Sequence, residues 1–251
     1  MHIPALKDLL YRLADDKLII GHRNSEWIGL GPILEEDIAF ASMAQDEVGH
    51  AYVYYQLLHE LGEAEPDTIA FARTAEAFRC CHLVEYPIGD YAFSLVRHFL
   101  FDMADKVRLA ALSESAYAPL AELARKLARE EKYHQMHART FMRQLGQAGH
   151  EANARMQAAL DEVYPVAFSL FEPTVHTDTL VRDGIQPDED TLMKTWRQEV
   201  EPYLRSCNLL VPDPGDITLH FGGRGGHHTE HLPPLLLEMT EVFALDPQAK
   251  W

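Results

Sequence analysis

The chain has 251 residues, 47% apolar and 24% charged, and its 39 acidic against 22 basic side chains give a net charge of −17. That length and composition describe one large or two small globular domains with an ample core, and the acidic balance disfavours nucleic acid and anionic membranes as partners. Apolar runs stay far below the ~20 residues that span a bilayer, and residues 1–12 lack the basic start and apolar middle of a signal peptide, so a cytoplasmic chain is expected.

A first helix is expected over residues 5–28, where Leu6, Leu9, Leu10, Leu13, Leu18 and Ile20 recur near a 3.6-residue period. Gly29, Gly31 and Pro32 interrupt it. A second helix then runs from about Ile33 to Leu61 and stops at Gly62, in the position of a left-handed cap. Pro66-Asp67 opens a short helix at about 67–79, near the adjacent Cys80 and Cys81. This pair lacks C-x-x-C spacing and, like Cys207, reads as buried small apolar residues of a reducing compartment. A third long helix spans Tyr91 to Glu114, after the breaker Pro87-Ile88-Gly89-Asp90. Pro119 opens a fourth that runs to about Leu145 and ends at Gly146. A fifth covers 150–172, with a kink expected at Pro165. The tail beyond Glu172 is rich in proline and carries Phe221-Gly222-Gly223-Arg224-Gly225-Gly226, with helices at about 188–206 and 228–243. Asp216 to His220 is too short to count as a strand.

Four long helices in two hairpins, joined by a longer crossover, describe an all-α, ferritin-like four-helix bundle with extra C-terminal helices. The expected organisation is a single domain over 1–251, with its bundle core at about 5–148 and the C-terminal helices and Gly/Pro-rich tail at about 150–251.

Two Glu-x-x-His elements stand out, Glu47-Val48-Gly49-His50 and Glu131-Lys132-Tyr133-His134. Positions i and i+3 share a helix face, so each carboxylate and imidazole can converge on one point. Either element alone also describes solvated helix-face charges. Two of them, each on the second helix of a hairpin, are the signature of dinuclear carboxylate bundles. The remaining ligands should be level acids on the first helix of each hairpin. About a turn centred near Tyr117, Glu131 lies 14 residues after and Asp102 15 before, a mismatch of about 1.5 Å in height. About Gly31, Glu47 lies 16 residues after, which makes Asp15 and Asp16 the level positions and Asp16 the better match. Glu26 sits about 16 Å from that level and is instead level with Glu36. The expected ligand set is therefore Asp16, Glu47, His50, Asp102, Glu131 and His134. Its mixed oxygen and nitrogen donors suit two iron or manganese ions. His137 lies on the same face as His134 but is expected at the surface, and His22, His59, His82 and His98 show no partners in the pattern. His227, His228 and His231 are read as part of a glycine-rich loop leading to a helix start at Thr229 rather than as a second metal site.

The stretch Gly21-His22-Arg23-Asn24-Ser25-Glu26-Trp27, the Gly31-Pro32 turn and Leu34-Glu35-Glu36-Asp37 resemble the C subunits of bacterial phenylacetyl-coenzyme A epoxidases. Val84-Glu85-Tyr86-Pro87-Ile88-Gly89-Asp90 and the run from Gly222 to Leu232 extend the resemblance over essentially the whole chain. It implies a role in aerobic phenylacetate breakdown. In that oxygenase a paralogous A subunit holds the di-iron centre, the C subunit is its structural partner, a small B-type subunit joins them, and a flavin and iron–sulfur reductase supplies electrons. C subunits typically lose metal positions to residues such as Leu and Gln. Here Glu47, His50, Glu131 and His134 are intact and look like the catalytic subunit's Asp-Glu-x-Gly-His and Glu-Glu-x-x-His motifs. The catalytic subunit's helix-one Glu, aligned through Trp27, falls opposite Lys17, one residue from Asp16. A structural subunit with a nearly intact metal site is the first expectation. An oxygenase subunit in its own right, a ferritin-like iron-binding protein, and pairing into a homodimer are the alternatives.

Overall fold

The computed structural model describes residues 1–213 and 218–246, whose regular structure is all helix, with no strand among them. Residues 214–217 lie outside this range, and with them Asp216 at the start of the rejected strand signal. No helix among the described residues is long and apolar enough to cross a membrane.

Helix α1 spans Ile3–Ser25 and is capped by His2, whose ring accepts the Ala5 N–H at 3.2 Å. Its Leu6, Leu9, Leu10 and Leu13 stripe is buried against α2, Leu34–Glu60, the other half of an antiparallel hairpin. Gly62 follows with φ of +91°, the left-handed conformation expected there. The crossover holds α3 (Pro66–Phe71), a single 3-10 turn at Ala75–Ala77 and α4 (His82–Glu85) in place of one helix over 67–79. Cys80 and Cys81 are fully buried within it.

Asp90 caps α5, Tyr91–Leu112, by accepting the Phe93 N–H at 2.9 Å. The fourth helix is not continuous. It divides into α6 (Ala118–Glu130) and α7 (Lys132–Gly146), which abut at Glu131. Neither proline nor glycine stands at the break; it coincides with the residue whose carboxylate turns into the bundle. Helix α8, His150–Ala167, packs on α5 and α7, carries Pro165 inside it and ends in a 3-10 turn at Phe168–Phe171. After the short α9 (Thr177–Arg182), α10 (Glu189–Ser206) packs on α5, and α11 (Leu232–Leu245) lies against α3.

The tail is fastened to the bundle by buried ion pairs. Glu189 accepts from Arg12 of α1 at 3.0 Å and from Arg108 of α5 at 2.8 Å. Arg224 grips Asp16 through both guanidinium nitrogens, at 2.8 and 2.7 Å. This grip needs the glycine loop, because a Cβ on Gly223 would lie 2.2 Å from the Cys80 carbonyl oxygen. Thr229 does not begin the last helix, which starts at Leu232; its N–H and hydroxyl instead bind Glu85 at 2.7 and 2.6 Å. The family-like segment serves the same fastening. Arg23 donates to the Glu85 carbonyl at 2.6 Å, and the Trp27 indole donates to Ser94 at 2.9 Å.

Two outcomes follow. Gly223→Ala should destabilise the fold by about 1–3 kcal/mol in urea titrations, because the opposing atom is backbone and cannot rotate away. Burial alone would lift the Glu189 pKa, but Arg108 and Arg12 outweigh it and hold the group at about 2. A depressed acid stabilises above its unfolded pKa and loses that contribution as pH falls through its folded value. About 3 kcal/mol should therefore disappear between pH 4.5 and 2, and Glu189→Gln should flatten that part of the stability curve.

Candidate metal centre and its internal cation

Five of the six expected ligands meet in the middle of the bundle. Glu47, Asp102, Glu131 and His134 are all buried and offer donor atoms within 4.8 Å of one another. His50 joins them, its Nδ1 3.1 Å from Glu131 Oε1. The outer nitrogens of the two histidines are held reciprocally. His134 Nε2 lies 3.2 Å from Asp46, and His50 Nε2 lies 3.0 Å from Glu130, so the acid preceding each motif glutamate supports the histidine of the other motif. Such carboxylate–histidine pairs are the usual second layer of a metal site.

Asp16 is not in this group. It faces Arg224 and the Cys81 N–H, while Asp15 is taken by Arg73, Tyr55 and the Arg79 N–H. The side chain that α1 sends to the centre is Lys17. Its ammonium touches Glu47 at 2.7 Å, Asp105 at 2.8 Å and Glu131 at 2.6 Å. Its Nζ lies 5.1 Å from the centroid of the Phe101 ring, and the residue is 2% exposed. Asp105 was not among the expected ligands, although it follows Asp102 by three residues and so shares its helix face.

The centre supplies positive charge of its own. Burial opposes the Lys17 ammonium, but Asp105, Glu131 and Glu47 overcome it and keep its pKa well above the ordinary range. Burial likewise opposes the His134 imidazolium, yet bonds to Glu131 and Glu47 push its pKa up to about 12. Glu131, despite its burial, is held well below the carboxylate range by Lys17, His134 and His50. Burial pushes the Asp102 pKa well above the ordinary carboxylate range, and it lies 3.1 Å from His98, whose pKa burial pushes well down. The Lys17 ammonium thus meets three carboxylates, Glu47, Glu131 and Asp105, the last raised to about 6 chiefly by its burial, and the His134 imidazolium lies beside them. His137, expected at the surface, is buried and lies 2.9 Å from Glu36, which also binds the Tyr91 hydroxyl.

The carboxylate and imidazole donors have the chemistry of a divalent-metal site, but a pair of ions does not fit beside Lys17. The ammonium occupies the helix-one corner and already engages two of the four convergent ligands. At about 4 Å, each unit of positive charge on an added ion would meet a repulsion of about 4 kcal/mol at an effective dielectric of 20. The adjoining cavity, lined by Lys17, Tyr54, Asp105 and Arg108, measures about 20 Å³, room for one water. A second group, Cys80, Glu85 and His228, could also hold an ion, but Glu85 there binds His228 at 2.8 Å as well as Thr229.

Phenylacetic acid catabolic proteins match the chain over residues 1–251. The chain belongs to this family. It is similar to the C subunit of the 1,2-phenylacetyl-CoA epoxidase of Escherichia coli (strain K12), at 32% identity over 241 residues that cover 96% of each chain. In this member of the phenylacetic acid catabolic protein family, the bundle centre holds an ammonium among the carboxylates of a metal motif. Lys17→Met should therefore strand buried negative charge and cost about 3–5 kcal/mol in chemical denaturation at neutral pH. A loss below about 1 kcal/mol would show that Lys17 does not hold the centre together.

Proposed function

We propose that the chain is a C-type subunit of a phenylacetyl-CoA epoxidase in aerobic phenylacetate catabolism. In this reading it is the structural partner of a catalytic A-type paralogue, in a complex that also contains a small B-type subunit and draws electrons from a reductase. The near full-length similarity to the C subunit of such an epoxidase supports the assembly. The observation that carries the structural role is the Lys17 ammonium, bonded to carboxylates that an oxygenase would need for iron or manganese. A cavity of about 20 Å³ beside the cluster also contrasts with the roughly 300 Å³ or more that small-molecule sites enclose.

An exposed apolar surface suits association. Ile28, Leu30, Ile33, Leu34 and Ile38, around the α1–α2 turn, are each more than half exposed. A concentration of large apolar side chains of this kind marks a protein-binding face. The second reading, an oxygenase subunit, draws on the convergence of Glu47, Asp102, Glu131 and His134.

Co-expression with A- and B-type partners separates the two. The untagged chain should co-purify with the tagged A-type subunit. With a reductase but no A-type subunit, the chain should not epoxidise phenylacetyl-CoA. Turnover under those conditions would establish the oxygenase reading instead.

A further inference from the structure

We infer that Lys17 is a built-in substitute for a metal ion: its ammonium neutralises the ligand cage and is the feature that keeps divalent cations out. The inference deepens the structural reading above and rests on the same site. Three observations carry it. First, the ammonium is bound as an ion would be, at 2.6–2.8 Å from single oxygens of carboxylates on α2, on α5 and at the α6–α7 break. Those carboxylates come from different elements, so the contact is not a local surface pair but a junction that draws the bundle together.

Second, the cage around it retains unused donors. Asp102 Oδ1 is buried with no hydrogen-bond partner, and Glu47 Oε1 has only a 3.5 Å approach from His134. Buried polar atoms are ordinarily satisfied, and orphaned carboxylate oxygens aimed at a common point suit a cation. Third, the supports of a metal site persist where a purely structural ion pair needs none, in the Asp46–His134 and Glu130–His50 pairs. The cage therefore lacks one thing, a carboxylate in place of the ammonium on α1. The ions it would then take are of the manganese, iron and cobalt class, matched by mixed carboxylate and imidazole donors.

The test compares the untagged full chain with Lys17→Glu and Lys17→Ala after growth in medium supplemented with iron and manganese. Apo preparations of each are also incubated with Co(II) and desalted. Metal per chain, visible absorption of bound cobalt and Tm are the readouts. Wild type should hold little metal and show a Tm unmoved by Co(II). Lys17→Glu should retain about two ions per chain, and Lys17→Ala about one, roughly tenfold or more above wild type, with Tm raised by Co(II). Stoichiometric metal in wild type would overturn the inference, and so would folded variants that hold none. If Lys17→Glu does not accumulate in either medium, the Lys17→Ala and wild-type results decide by the same criteria. Co-purification with the A-type partner is scored on the same wild-type protein. Its failure would sink the subunit reading while leaving the inference about Lys17 untouched.

Discussion

Everything in this bundle is arranged around acid placed where water cannot reach it. Glu47, Asp102, Asp105 and Glu131 meet at the centre, and buried charge without a partner costs several kcal/mol per group. Lys17 and His134 supply positive charge to hold this acid in place, while burial pushes the pKa of Asp102 up and that of neighbouring His98 down. The same rule governs the next layer, where Asp15 meets Arg73, Asp16 meets Arg224, and Glu189 meets Arg12 and Arg108. In that layer each buried acid has a cation of its own.

The hairpins and most of the centre were legible because they depend on local periodicity and helix rise. Those two quantities suffice to bring Glu47, His50, Asp102, Glu131 and His134 to one level. Height, however, does not specify azimuth. Neighbouring residues on a helix point about 100° apart, so Asp16 and Lys17 share a level and face different surroundings. The resemblance, aligned through Trp27, implies that Lys17 stands opposite the catalytic subunit's helix-one glutamate, and this is the side chain that enters the centre. Residues fixed by distant partners left no local trace. His137 is buried because Glu36, 101 residues earlier, lies across from it, and Thr229 is positioned by Glu85 rather than by the helix that follows. The break at Glu131 is of the same kind, with nothing in the surrounding composition to announce it.

The proline- and glycine-rich tail is integral to the bundle despite its composition. Its glycine loop passes against the backbone at Cys80 so closely that a methyl group would not fit, and this approach delivers Arg224 to Asp16. The crossover between the second and third long helices therefore works as a socket. It receives the loop on one side and presents the Asp15 and Asp16 surroundings on the other.

Two of the cations that hold α1 in place, Lys17 and Arg224, stand far apart in the sequence. Lys17 leaves the ribosome with the first turns of the first helix and waits for Glu47 and Glu131. Arg224 emerges 208 residues after Asp16. A copy cut short before the glycine loop would carry its central ammonium but leave a buried aspartate of its first helix unanswered. Closure around the first helix thus waits on the glycine loop that carries Arg224.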